Sequence, residues 1–316
     1  MIVFGPVPSR RLGRSLGINN IPAKTCSYSC VYCQLGKTVQ MHFERQGFYE
    51  PERIAREVKE QVDKAKSTGE HIDYLTFVPD GEPTLDIALG EEIDLLTTLE
   101  IRIAVITNAS LIYREDIRHD LAKADLVSLK VDAVSERGWR RVNRPHGRLK
   151  LDGILEGMLA FAKGFEGEII TETMLVDGIN DKKEDVERVA EFLAVLQPSR
   201  AYVAVPTRPP AEKWVKTAGE PVVNMAYQKI SDALGKNRVE YLIGYEGNAF
   251  AFTGNVEEDL LSITSVHPMR QDAVEEFLRK ANAGWRIVKK LTREEELIEL
   301  EYMGRKFYMR KLPTRH

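Results

Sequence analysis

The chain has 316 residues, 43% of them apolar and 29% charged, and its 45 basic side chains nearly balance 48 acidic ones, for a net charge of −3. That length suits one large α/β domain plus a small appendage. The charge balance gives no overall field for nucleic acid or membrane. No apolar run approaches a bilayer span, and the N-terminus has neither the basic start nor the apolar centre of a signal peptide. A cytoplasmic protein is expected.

Glycine and proline crowd residues 5–17, which reads as a shaped turn region, with Leu16 to Ile21 as a first strand. Arg10, Arg11 and Arg14 lie on this arm. Guanidinium groups suit a substrate phosphate or carboxylate, and a solvated turn with surface ion pairs is the plainer alternative. Next comes Cys26-Ser27-Tyr28-Ser29-Cys30-Val31-Tyr32-Cys33, which contains every cysteine of the chain. A disulfide would leave one thiol over. Structural zinc would need a fourth ligand, and no histidine follows at the usual spacing. A cubane iron–sulfur cluster takes thiolates and normally four of them. With three, one iron keeps an open position, as a catalytic metal site does.

Pro51 to Ala65 reads as an amphipathic helix, with Ile54, Ala55, Val58, Val62 and Ala65 at helical spacing. Tyr74 to Val78 has strand length and composition and ends in Asp80-Gly81-Glu82-Pro83, where glycine permits close backbone approach to a ligand. The alternation continues: helix Glu91–Leu99, strand Ile101–Thr107, helix Asp116–Ala124, strand Asp125–Val131, helix Gly153–Lys163, strand Glu168–Leu175, helix Asp185–Leu196, strand Ala201–Val205. Such alternation argues for βα units and a parallel sheet. Thr107 and Asn108 end a strand, where they suit either ligand hydrogen bonds or a helix cap. Ser128, Lys130 and Asp132 share one side of their strand, and an inward lysine needs a charged partner. Arg137 to Arg148, which includes Arg144, is a basic segment with one aromatic residue. It suits a phosphate-bearing substrate such as RNA, or a solvated loop. Tyr202, Thr207 and Arg208 near the last strand's end are further substrate-contact candidates.

Pro209 to Pro221 reads as an ordered connector, followed by helix Val223–Leu234 and strand Val239–Ile243. From about Asn255 the pattern changes to three short helices, Val256–Val266, Gln271–Ala281 and Gly284–Thr292. A hairpin follows, Leu297–Tyr302 and Lys306–Arg310. Three helices and a hairpin resemble a winged helix-turn-helix, whose recognition helix can enter a major groove. Protein docking fits the mixed charge of this piece as well.

The C-x3-C-x2-C spacing, with an aromatic residue just before the last cysteine, resembles the signature of the radical S-adenosylmethionine (SAM) superfamily. The resemblance implies an α/β fold with a partial (β/α)6 barrel, placed in residues 1–250, and the change of pattern places the winged-helix-like domain in 251–316. It implies that Cys26, Cys30 and Cys33 bind a 4Fe-4S cluster, that Tyr32 helps seat the adenine, and that SAM chelates the open iron. Reductive cleavage of the sulfonium then gives a 5′-deoxyadenosyl radical that abstracts hydrogen from a substrate. Gly81 and Glu82 match the family's Gly-Gly-Glu motif, which contacts the SAM amino group, with Asp80 in place of the first glycine. Lys130 would pair with the SAM carboxylate, in a segment like the Asp-Leu-Lys of glycyl-radical activases but with Ser128 leading. Val176 is the nearest match to an apolar residue packed on adenine. An electron donor such as ferredoxin or flavodoxin is implied.

The first 210 residues resemble the wyosine-synthase-like branch, although no cysteines exist here for a second cluster. An RNA substrate and a protein or peptide substrate both stay open, with Arg10, Arg11, Arg144, Tyr202 and Arg208 as candidate contacts. A reading from another class is an iron–sulfur redox sensor that uses the winged module to bind DNA.

Overall fold

The computed structural model describes residues 2–244, 250 and 252–311. Residue 251, where the expected second domain opens, lies outside them. In chain order the first elements are β1 (Val3–Ser9), β2 (Gly13–Ile18), β3 (Thr25–Cys26), β4 (Gln40–Met41), α1 (Pro51–Ser67), β5 (Tyr74–Phe77), α2 (Leu89–Thr97), β6 (Arg102–Thr107), α3 (Glu115–Leu121) and β7 (Leu126–Lys130). Then come α4 (Glu136–Val142), α5 (Leu151–Gly164), β8 (Glu168–Met174), α6 (Lys183–Leu196), β9 (Arg200–Ala204), α7 (Glu220–Leu234) and β10 (Val239–Leu242). The last are α8 (Val256–Val266), β11 (Met269–Arg270), α9 (Gln271–Lys280), α10 (Arg286–Arg293), β12 (Leu297–Tyr302) and β13 (Arg305–Arg310).

Eight strands form one open mixed sheet in the order β1-β2-β5-β6-β7-β8-β9-β10. From β2 to β10 neighbours are parallel, and only β1 runs antiparallel, against β2. The sheet curls. Arg10, in the β1–β2 turn, donates from Nη2 to the Tyr241 carbonyl of β10 at 2.7 Å, although six strands separate β1 from β10 in the sheet. This is an incomplete barrel of the kind expected for six βα units, with one strand added at each side. The six expected strands are all present. The correction is the N-terminal arm, which is a hairpin and not a turn region: Val3 faces Ile18 and Ser9 faces Gly13.

Helical faces explain the packing. The apolar stripe of α1, Ile54, Val58, Val62 and Ala65, is buried against the outer face of the sheet, and Pro51 occupies its first turn, where no amide donor is needed. In α6 the stripe Val186, Val189, Ala190, Leu193 and Leu196 does the same, and Gln197 ends the helix with φ of 56°. The inner side of the sheet has its own apolar plug of Tyr74, Ala104, Leu126, Ile170 and Tyr202. Lys130 and Glu172 follow the plug residues Leu126 and Ile170 along β7 and β8 by even steps, so they face the same interior.

The C-terminal elements bury a separate cluster, with Leu260, Ile263, Phe277, Val288 and Leu297 at its centre. Their sheet has the order β11-β13-β12. Phe4 and Val7 of β1 belong to this cluster as well.

Candidate active site

The cysteine loop is fixed by backbone from a part of the chain that the sequence marked only as a basic loop. Val31 donates to the Val142 carbonyl at 3.0 Å, Ser29 to Asn143 at 3.1 Å, and His146 donates to Ser27 at 2.9 Å. Residues 136–142 form α4, whose buried Trp139 donates from Nε1 to Tyr28 Oη at 3.1 Å. This segment braces the loop. Arg144 itself lies off the cavity and pairs with Glu212 at 2.5 Å.

The other side of the loop rests on Gly81. A Cβ there would lie 1.7 Å from the Thr25 carbonyl oxygen, a backbone atom of β3. We expect Gly81→Ala to displace Thr25 and Cys26 and to cost about 1–3 kcal/mol in folding stability. Urea denaturation measures this, and an unchanged midpoint would show that β3 yields freely.

The curled sheet and these loops enclose a cavity of about 340 Å³. Cys26, Cys30, Cys33, Tyr32, Gly81, Thr107, Asn108, Lys130, Arg11 and Arg208 line it. Several of these residues have polar partners already. Asn108 Nδ2 donates to Ser27 Oγ at 3.0 Å and approaches Cys26 Sγ at 3.5 Å. Tyr32 Oη donates to Asp132, and Lys130 Nζ stands 4.9 Å over the Tyr32 ring.

The three thiols are unoxidised and half-buried. Among the described residues no three His, Cys, Asp or Glu side chains converge where a single ion would bind. A cubane makes a different demand, since each thiolate meets its own iron and the ligands stand apart around the cluster. Burial pushes the Cys30 thiol up to about 12, with the Asp132 carboxylate adding to it, and burial also raises Cys26 and Cys33. Each thiolate also opposes its neighbours. Three thiolates here therefore need a strongly cationic group between them, which a metal cluster supplies. Amide donors are in place as well: the Tyr28 N–H reaches Cys26 Sγ at 3.5 Å, and Asn143 Nδ2 reaches Cys30 Sγ at 3.4 Å.

The family model described as the Radical SAM superfamily matches residues 20–193. The chain belongs to the radical SAM superfamily. It is a radical SAM enzyme, and the match leaves the reaction unspecified. The UPF0026 protein of Methanocaldococcus jannaschii is 51% identical over 314 residues, covering 99% of this chain and 97% of that one. Among solved structures, TYW1 with a lysine-pyruvate adduct bound is similar at TM-score 0.55 and 15% identity, over 72% of this chain and 82% of that one. Streptococcus suis SuiB bound to S-adenosylmethionine is similar at TM-score 0.53 and 14% identity, over 71% of this chain. The match spans about half (49%) of the SuiB chain. At such identities these two share the fold with this radical SAM enzyme.

Several residues matched to superfamily motifs stand elsewhere than the motifs imply. Glu82 is off the cavity wall and buried, and its two oxygens are taken. Oε1 accepts from Thr84 N at 3.1 Å, Thr84 Oγ1 at 2.6 Å and Thr107 Oγ1 at 2.6 Å, while Oε2 accepts from Asn108 N at 2.7 Å. It buckles the loops after β5 and β6 together. Val176 is buried off the wall, and its neighbour Met174 lines the cavity instead. Ser128 is buried off the cavity wall, Tyr202 belongs to the inner plug, and Arg10 is spent on Tyr241.

The charged partner that Lys130 requires is Glu172 of β8, at 2.8 Å, with Asp132 Oδ1 at 3.3 Å. Arg11 Nη1 meets the other Glu172 oxygen at 2.5 Å. Glu172 was legible only as a polar residue inside an apolar strand. Asp80 was noted only as the residue replacing a motif glycine. It is 5% exposed, lines the cavity, and its Oδ1 has no hydrogen-bond partner, so burial pushes its carboxyl up to about 7. Such a buried orphan oxygen fits a site that takes a cationic or hydrogen-bonding group.

Proposed function

We propose that Cys26, Cys30 and Cys33 hold one 4Fe-4S cluster with SAM at its open iron, and that the enzyme abstracts hydrogen from a substrate further along the same cavity. The carrying observation is that the chain's only thiols all open onto one cavity of about 340 Å³, beside amide donors. When bound, cluster and SAM supply one-electron cleavage of the sulfonium to a 5′-deoxyadenosyl radical. The chain's own side chains hold the reactants. Asn108 and Asn143 donate to the sulfurs, and hydrogen bonds to cluster sulfurs help set the reduction potential. Tyr32, clamped by Asp132 and Lys130, gives a rigid aromatic wall for the adenine, and Thr107 and Met174 extend that wall. Arg11 and Arg208 face the region left for substrate. Val205, Pro206 and Leu242 there keep water out. A ferredoxin or flavodoxin is the expected electron donor.

Residues 251–316 are read as a winged helix on their element order, three helices with a terminal hairpin and a short strand closing a three-stranded sheet. Residues 1–250 form the radical SAM part. An RNA substrate, as in the wyosine-synthase-like branch, is favoured over a peptide by one feature. Arg286, Lys289 and Arg293 stand one helical face apart on α10, exposed and in no ion pair among the described residues, while Lys290 pairs with Glu257 at 2.8 Å.

The test is anaerobic reconstitution with iron and sulfide, reduction, and incubation with SAM. Release of 5′-deoxyadenosine is expected. Intact SAM under strong reduction would sink the enzyme reading of the cluster and favour a redox-sensing DNA-binding regulator.

A further inference from the structure

At the cysteine end of the cavity two residues of opposite charge, Lys24 and Asp80, line the wall and form no ion pair among the described residues. Lys24 precedes Cys26 by two residues, and Asp80 precedes Gly81. Their backbones are clasped, since Lys24 N donates to the Asp80 carbonyl at 2.6 Å. Lys24 is held there with φ of 62°, a left-handed conformation that a non-glycine residue adopts under constraint. Both side chains reach the cavity wall. Asp80 Oδ1 is buried with no hydrogen-bond partner. Neither Lys24 nor Asp80 belongs to any ion pair among the described residues, although Asp80 and Cys33 are the two charges that bear on Lys24.

Elsewhere the cavity looks after its own charges: Lys130 and Arg11 both meet Glu172. The carboxylate that the sequence motif put forward, Glu82, is saturated by four internal donors. What is left at that end of the wall is the Lys24 ammonium and the Asp80 carboxylate, on which the N-terminal ammonium and Arg310 also act. A cationic ligand alone would give the orphaned Asp80 Oδ1 a partner but would stand unopposed beside the half-buried Lys24 ammonium. A ligand with both charges on adjacent atoms satisfies both. An α-amino-acid head group has that character, an ammonium and a carboxylate on one carbon.

We propose that Lys24 and Asp80 together receive an α-amino-acid head group, its ammonium on Asp80 and its carboxylate on Lys24. The proposal rests on the cavity being the cofactor and substrate site described above. The head group has two possible sources, the methionyl end of SAM and an amino-acid substrate.

Equilibrium dialysis of the reconstituted protein separates them. The probes are SAM, decarboxylated SAM and each of the twenty free L-amino acids, on wild type, Lys24→Met and Asp80→Asn. Thermal unfolding confirms that each variant is folded. If SAM is the source, wild type prefers SAM to decarboxylated SAM by roughly tenfold or more, the value of a charge-assisted contact. Lys24→Met loses that preference, and Asp80→Asn weakens both ligands alike. If a substrate is the source, both variants keep the SAM preference and lose a free amino acid that wild type binds. Folded variants that match wild type toward all probes overturn the proposal. Wild type that binds an amino acid through this pair but never SAM would instead fault the cofactor reading and leave this one standing.

Discussion

Cys30→Ala is expected to bind no cluster and to release no 5′-deoxyadenosine from SAM. No other thiol exists in the chain to take its place, and two remaining ligands leave two irons of a cubane open. Cys30 sits between two fixed points, the Cys33 amide that donates to its carbonyl at 3.1 Å and the Asn143 amide on its sulfur. The backbone of the loop is held by α4 and by the residues after it, so the variant should fold and fail only in metal uptake. Visible absorbance and iron content after reconstitution report on the first half of the expectation, and chromatography of the SAM products on the second. A cluster of undiminished absorbance in the variant would mean that the ligands are misassigned.

Glu172→Gln is expected to lower folding stability by about 3–5 kcal/mol, the usual cost of removing one partner from a buried ion pair. Two cations depend on this carboxylate, Arg11 at 2.5 Å and Lys130 at 2.8 Å, and only Lys130 has a second acid in Asp132. Burial alone would raise the Glu172 carboxyl, but Lys130 and Arg11 outweigh it and hold it down at about 2, against an ordinary 4.5. The sign follows from the depressed value. The stabilisation is fully present above the unfolded-state pKa, and it is lost as pH falls from about 4.5 through about 2. Wild type should therefore lose about 3 kcal/mol more than Glu172→Gln over that interval. Urea midpoints of the two proteins at pH 7, 4 and 2.5 measure both effects. Parallel acid profiles would show that Glu172 is not the acid-sensitive group.

Much of the parallel scaffold was readable because its strands are short apolar runs between amphipathic helices. The stripe of α6 and the run Tyr74 to Phe77 allow little else. β1 was not readable: Val3-Phe4-Gly5-Pro6-Val7-Pro8 has two prolines, which normally argue against a strand, and they fit here because β1 is an edge. α4 was hidden because only Trp139 and Val142 of its short face are apolar and large. Of the cavity's lining, the cysteines, Thr107, Asn108 and Lys130 were legible from spacing and strand ends, and Tyr32 and Gly81 from the family resemblance. Glu172, Asn143 and the clasp of Lys24 with Asp80 were not, since each depends on partners far along the chain: Lys130 and Arg11 stand 42 and 161 residues from Glu172, and Cys30 stands 113 from Asn143. Glu82 shows the opposite limit. Its motif position was clear, yet only the fold shows that Thr84, Thr107 and Asn108 occupy its oxygens.

The placement of Phe4 and Val7 in the C-terminal cluster has a consequence for how the chain comes to be made. Those two side chains leave the ribosome well before Phe250 to Tyr308, the residues that cover them. Until those residues emerge the β1 edge waits with its apolar side chains open, and α8 to α10 cannot complete their core without it. Closing β1 against the elements from α8 to β13 is a contact of long sequence range, so it belongs to the late, slow part of folding. Until that seam shuts, the nascent barrel carries an uncovered edge strand, the kind of surface that other chains and chaperones recognise.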